Sequence, residues 1–247
     1  RQDIPLFKGS SKPLKTSLVL GQVMGSTGLD GVKVPKLNNY NPLSLSTLKT
    51  LIMKSKKKPS LLLLGPQTKI AKLLIRYPDI ENMIDSLVIM GGAFDVPGNK
   101  NRVAEFNYFV DPEAAKIVMQ SNIQKIIVPL DLCYQVPLYL KDFKIINKSP
   151  YHPILMKIMK PYIRALAKYE DQQGAIVYDA LAAYYLISPD SFTLTPMDVV
   201  VETKGEYTKG MTVPNKSSNR ESNIQVATAI DQDRFKKDIL RIINKEK

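Results

Sequence analysis

The stretch "SLLLLGPQTKIAKLLIRYP", residues 60–78, decides the fold class. Ser60 is followed by four leucines and then Gly65-Pro66, a short apolar run closed by turn residues, which suits a buried strand. From Thr68 the pattern changes period. Ile70, Leu73 and Leu74 share one helical face, Lys69 and Lys72 lie between them, and Pro78 ends the helix. Thr68 itself reads as the helix N-cap. The pattern then repeats: "DSLVIMGG" (85–92) reads as a strand, "DPEAAKIVMQS" (111–121) as a helix and "KIIVPLDL" (125–132) as a strand. Short connections between alternating strands and helices predict parallel βαβ units. The expected fold is α/β, with a mostly parallel central sheet and helices on both faces, a Rossmann-like open sheet. Further along, the sequence predicts a helix at about 154–168 and another at 179–187 before Pro189. Strands are expected near 197–203 and 223–229, and a terminal amphipathic helix over 231–247.

Composition narrows the class. The chain has 247 residues, 44% apolar and 23% charged, enough for one core and ordinary for a globular protein. A single domain over 1–247 is expected. No apolar run approaches the roughly 20 residues of a membrane span, so no membrane partner is expected. One cysteine, Cys133, rules out an internal disulfide framework and suits a reducing, cytoplasmic setting. The start, "RQDIPLF", has no apolar signal core. The net charge of +12 raises nucleic-acid binding as a rival. Its densest stretch, "KSKKK" (54–58), closes a helix, where lysines complement the dipole, and no aromatics interleave with the lysines as a base-stacking surface requires. No nucleic-acid partner is expected.

In open parallel sheets, ligands bind beyond the carboxyl ends of the strands. Three segments begin there: "GPQT" (65–68), "GGAFDVPGN" (91–99) and "DLCYQV" (131–136). The middle one is long and polar for a βα connection, and Asn99, Glu105 and Asn107 lie along it and just beyond. "VAEFNYFV" (103–110), read as extended, puts Glu105 and Asn107 on one face and Ala104, Phe106, Tyr108 and Val110 on the other. An amide–carboxylate–amide set can hold vicinal hydroxyls, because carboxylates accept and amides both donate and accept. Asp111-Pro112 reads as an N-cap and first helical residue. Asp179 opens a helix, where N-capping is its default role, and Tyr178 reads either as a core aromatic or as a pocket wall. His152 lies between turn residues, and with one histidine and one cysteine neither a Ser/His/Asp triad nor a cysteine–histidine zinc site can be assembled.

Six ordered stretches, "GSTGLDG" (25–31), "LLLLGPQTKIAKLL" (61–74), "LVIMGGAFDVPGN" (87–99), "VAEFNYFVDPEAAKIV" (103–118), "IIVPLDL" (126–132) and "VYDALAAYYLISPDSF" (177–192), resemble the inosine–uridine-preferring nucleoside hydrolases. The resemblance implies a nucleoside hydrolase-like sheet and hydrolysis of the N-glycosidic bond of purine or pyrimidine ribonucleosides. It also implies a bound calcium ion and assembly as a homodimer or homotetramer. Calcium takes roughly six to eight oxygen ligands, and Thr68 through its carbonyl and Asp179 through its carboxylate would be two of them. Asn99, Glu105 and Asn107 would grip the ribose, with Tyr178, Tyr162 and Tyr169 around the base. In that family an amino-terminal DxDPGxDD motif supplies the catalytic base and most calcium carboxylates. The string is nowhere in these 247 residues, so the base and the amino-terminal strand–loop segment are expected to be missing from the chain. Tyr178 and Met24 stand where many relatives carry histidines. These departures support an alternative: a catalytically incomplete relative that binds ribosides or serves as a structural subunit.

Overall fold

In the computed structural model, residues 4–21, 23, 25, 28, 29, 32, 42–215 and 222–244 are described. The parallel units form as the apolar runs predict. Strands β1 (Ser60–Leu63), β2 (Ser86–Met90) and β3 (Gln124–Val128) pair in parallel in that order. The helices between and around them are α1 (Leu45–Lys54), α2 (Thr68–Arg76), α3 (Phe106–Val110), α4 (Pro112–Gln120) and the short α5 (Leu130–Cys133). The later elements are α6 (His152–Tyr169), α7 (Tyr178–Tyr185), strands β4 (Phe192–Pro196), β5 (Asp198–Val201), β6 (Thr212–Asn215) and β7 (Ile224–Ile230), and α8 (Gln232–Asn244). β7 joins β3 in parallel and β4 joins β7 antiparallel, giving the order β1-β2-β3-β7-β4.

Alternation along β2 builds the two faces. Leu87 and Ile89 enter a core with Ala71 and Leu73 of α2 and Ala114 and Val118 of α4. Val88 and Met90 enter the opposite core with Leu166 of α6, Leu181 and Tyr184 of α7, and Phe235 of α8. A central strand covered on both sides reads as a continuous apolar run for this reason. Lys54 ends α1, and Lys56, Lys57 and Lys58 are exposed in the turn that follows. No helix among the described residues is long and apolar enough to cross a membrane.

Four local expectations are corrected. Residues 106–110 are helical, not extended: the Glu105 carboxylate accepts from the backbone N–H of Asn107 (2.9 Å) and of Tyr108 (3.2 Å), capping α3. Gln67, not Thr68, is the N-cap of α2, and the Thr68 hydroxyl instead donates to Asp111 Oδ2 (2.6 Å). Val177 occupies the N-cap of α7, which leaves Asp179 in the first turn and free of a capping role. The strand near 197–203 contracts to β5 and leaves the main sheet to pair with β6, and neither β4 nor β6 is anticipated by the pattern. The Asp111-Pro112 start of α4 is as expected, with Asp111 Oδ1 accepting from Ala114 N (3.1 Å).

Candidate active site

A cavity of about 720 Å³ opens beyond the carboxyl ends of β1 and β2, with Leu64 and Met90 in its wall. It brings together Asn99, Glu105, Asn107, Tyr178 and Asp179 from three separate segments, along with Tyr162 and Tyr169 of α6. Thr68 is buried and is not among the described walls.

The loop after β2 is held from several sides. Asp131 of α5 accepts from Phe94 N (3.0 Å) and Asp95 N (2.7 Å). Thr212 of β6 exchanges hydrogen bonds with the backbone of Ala93, donating to its carbonyl at 2.7 Å and accepting from its N–H at 3.1 Å. Gly98 lies against Ala104, where a Cβ would come within 2.3 Å of that residue's backbone, so only glycine fits. Asn99 Oδ1 accepts from Phe106 N (2.9 Å), which turns its amide NH2 the other way. Asn107 Nδ2 donates to the Met90 carbonyl (3.2 Å).

Glu105 is buried, and its Oε2 also accepts from Gly92 N (3.4 Å). Gly91 packs so close that a Cβ there would lie 2.7 Å from the same oxygen, at a φ of +149 that side chains rarely adopt. Burial drives the Glu105 pKa up to about 7, overcoming the three backbone donors, and the negative charge of Asp179 adds to the rise. Burial likewise raises Asp179. The phenols of Tyr162 and Tyr178 are pushed up, first by burial and next by the Glu170 carboxylate.

The walls hold more than sequence reasoning found. Met90, Lys100, Phe106 and Glu170 also line the cavity. Glu170 follows α6 just ahead of the polar "DQQG", which reads as a solvent turn, so no sequence signal marked it. Three carboxylates (Glu105, Glu170, Asp179) face one cation, Lys100, among the described walls. Such a cavity accepts hydroxyl hydrogen bonds, favours positive charge developing on a ligand, and offers tyrosine faces for stacking. His152 starts α6 and is not among the walls, and Met24 lies outside the described residues. Cys133 is buried, with its thiol pushed up by burial first and by neighbouring carboxylates next.

Calcium does not fit the described residues as they stand. Among them, no three His, Cys, Asp or Glu groups cluster closely enough to share an ion.

The family model for inosine-uridine preferring nucleoside hydrolases matches residues 1–237. A pyrimidine-specific ribonucleoside hydrolase, RihA, from Escherichia coli O1:K1 / APEC is 34% identical over 223 residues, which is 86% of this chain and 70% of that protein. RihA of Shigella boydii serotype 4 (strain Sb227) is 33% identical over 244 residues, 95% of this chain and 77% of its own. A solved structure, the purine-preferring ribonucleoside hydrolase from Gardnerella vaginalis, superposes with a TM-score of 0.88 at 26% identity, covering 98% of this chain and 80% of that one. With the family's fold and the cavity its segments assemble, this chain belongs to the inosine–uridine-preferring nucleoside hydrolases.

Proposed function

We propose that the cavity binds a ribonucleoside and supports hydrolysis of its N-glycosidic bond, giving ribose and a free base. The observation that carries this is the convergence of Asn99, Glu105, Asn107, Tyr178 and Asp179 on one cavity. Asn99, Glu105 and Asn107 hold the ribose hydroxyls, the amides donating and the carboxylate accepting. As the C–N bond breaks, the sugar acquires oxocarbenium character, and the carboxylates stabilise it more than the neutral ground state. Tyr162, Tyr169 and Tyr178 enclose the base. The family resemblance would give the Thr68 carbonyl and Asp179 to a calcium ion, two of the roughly six to eight oxygens such an ion takes. Those two alone do not make a site, and the parts played by Asn99, Glu105, Asn107 and the tyrosines do not depend on the ion.

A second reading, a riboside-binding relative without turnover, is favoured by the lack of a metal-binding acidic cluster among the described residues. One experiment separates the two. The chain is incubated with inosine and uridine, with and without calcium, while binding is followed by calorimetry and ribose release by a reducing-sugar assay. Binding with release supports the hydrolase, and binding without release supports the second reading. No binding of either nucleoside overturns both.

A further inference from the structure

Glu170 and Tyr178 stand at the two ends of the connection between α6 and α7, and the chain turns back so that they meet. The turn is fixed by the backbone. Asp171 adopts a φ of +53, Leu138 and Ala175 exchange two hydrogen bonds (2.9 and 2.7 Å), and the Tyr162 hydroxyl donates to the Ile176 carbonyl (2.6 Å). On this frame the Tyr178 hydroxyl donates to Glu170 Oε2 at 2.5 Å. The Tyr134 ring stands edge-on to the Tyr178 ring, with centroids 6.3 Å apart at 68°. Tyr178 is thus held at its phenol end by a carboxylate and along its ring by a second aromatic.

We propose that Glu170 is a positioning residue, whose carboxylate anchors the Tyr178 phenol and fixes that ring as the base-side wall of the cavity. The inference rests on the ribonucleoside reading above. Among the described residues no cation pairs with Glu170, and its carboxyl is raised by burial even though Tyr178, Asn99 and Tyr134 pull it back. A partly buried, cation-free carboxylate costs stability, and a neutral spacer would fill the same space without that cost. What the carboxylate adds is a strong acceptor for a phenol, a bond of the charge-assisted kind. A fixed ring binds a base without losing freedom at the moment of binding.

The test is a double-mutant cycle on the full chain, reading the dissociation constant for inosine and for uridine. The chain has no tryptophan, so emission from its tyrosines reports occupancy directly. Glu170→Ala and Tyr178→Phe should each weaken binding about tenfold, and the double variant should also lose about tenfold, because one bond is removed in all three. Glu170→Gln keeps an acceptor oxygen for the phenol and should bind within about threefold of the parent. Melting temperatures of the Glu170 variants should not fall below the parent's, since the backbone frame of the turn does not use the carboxylate and its burial costs stability. A double variant impaired about a hundredfold, the product of the single losses, would overturn the anchoring role. So would Glu170→Gln as weak as Glu170→Ala, or Glu170→Ala binding like the parent. A parent chain that binds neither nucleoside removes the ribonucleoside reading itself, and the positioning role falls with it.

Discussion

The Glu105 carboxylate accepts from three backbone N–H groups, yet burial beside Asp179 holds its pKa near 7. Folding therefore raises it from 4.5, and between 4.5 and about 7 the folded chain keeps a proton that the unfolded chain releases. Its contribution is fully present below pH 4.5 and is lost as pH rises through 7, a change of at most about 3 kcal/mol. Glu105→Gln removes this loss. The variant should gain stability relative to the parent between pH 5 and pH 8, seen in paired urea titrations, and a constant or shrinking difference would refute the assignment. Under the proposed function, the same substitution, or Asn107→Ala, should cut nucleoside turnover at least about a hundredfold, because contacts that strengthen in a charged transition state act on rate. Ribose release per folded molecule at parental rates would return both residues to a structural role. Glu105 and Asn107, which both line the cavity, stood out in the sequence because polar groups interrupt an apolar stretch. Their helical setting was not legible, since "FNYFV" is rich in strand-favouring side chains and glutamate is an uncommon cap.

Elements around the site are joined by single buried side chains, and Asp111 shows how. It is fully buried. Oδ1 caps α4 through Ala114 N, while Oδ2 accepts from the Thr68 hydroxyl of α2 (2.6 Å) and from Leu14 N (2.9 Å). One carboxylate thus fastens two helices and the segment preceding them, and Thr16 adds a bond to the Val110 carbonyl at 2.8 Å. Asp111→Ala removes the cap and leaves two further donors without their partner, and the expected cost is about 3 kcal/mol. Chemical denaturation checks this, and a loss below about 1 kcal/mol would show that water takes over the bonds. The cap was readable in "DPEAA" from local rules. The links to Thr68 and Leu14 span 43 and 97 residues, and no local rule reaches that far. β6 was hidden for a related reason: Pro214 sits inside it and demotes a run that, among the described residues, pairs only with β5. Its Thr212 nevertheless holds the loop that carries Asn99.

At the scale of the whole molecule, charge is distributed against the average. The chain carries a net +12, yet three of its carboxylates gather in one cavity beside a single lysine among the described walls. The parallel order of β1, β2 and β3 could be read from apolar runs because each is covered on both faces. The cavity could be located from the same order, at the strand ends. Of the acids that gather there, Glu105 and Asp179 were named from the family resemblance, whereas Glu170 was not, because it arrives through the turn after α6 ahead of a polar stretch. Gathering acids is not the same as making a cation site. A calcium ion needs roughly six to eight oxygens converging at 2.3–2.6 Å, and tight sites derive from several carboxylates sharing one ion. Among the described residues no three acidic groups do so. Both oxygens of Glu105 already accept from backbone donors, which leaves less of the carboxylate for a cation, and the Oε2 of Glu170 accepts from Tyr178. The 247-residue chain by itself should therefore bind calcium weakly, with a dissociation constant above about 0.1 mM, in the range of sites with few charged ligands. Titration calorimetry in calcium-free buffer decides it. Stoichiometric binding at micromolar concentration would mean that residues outside the described set complete a site with Asp179, and Asp179→Asn should then abolish it.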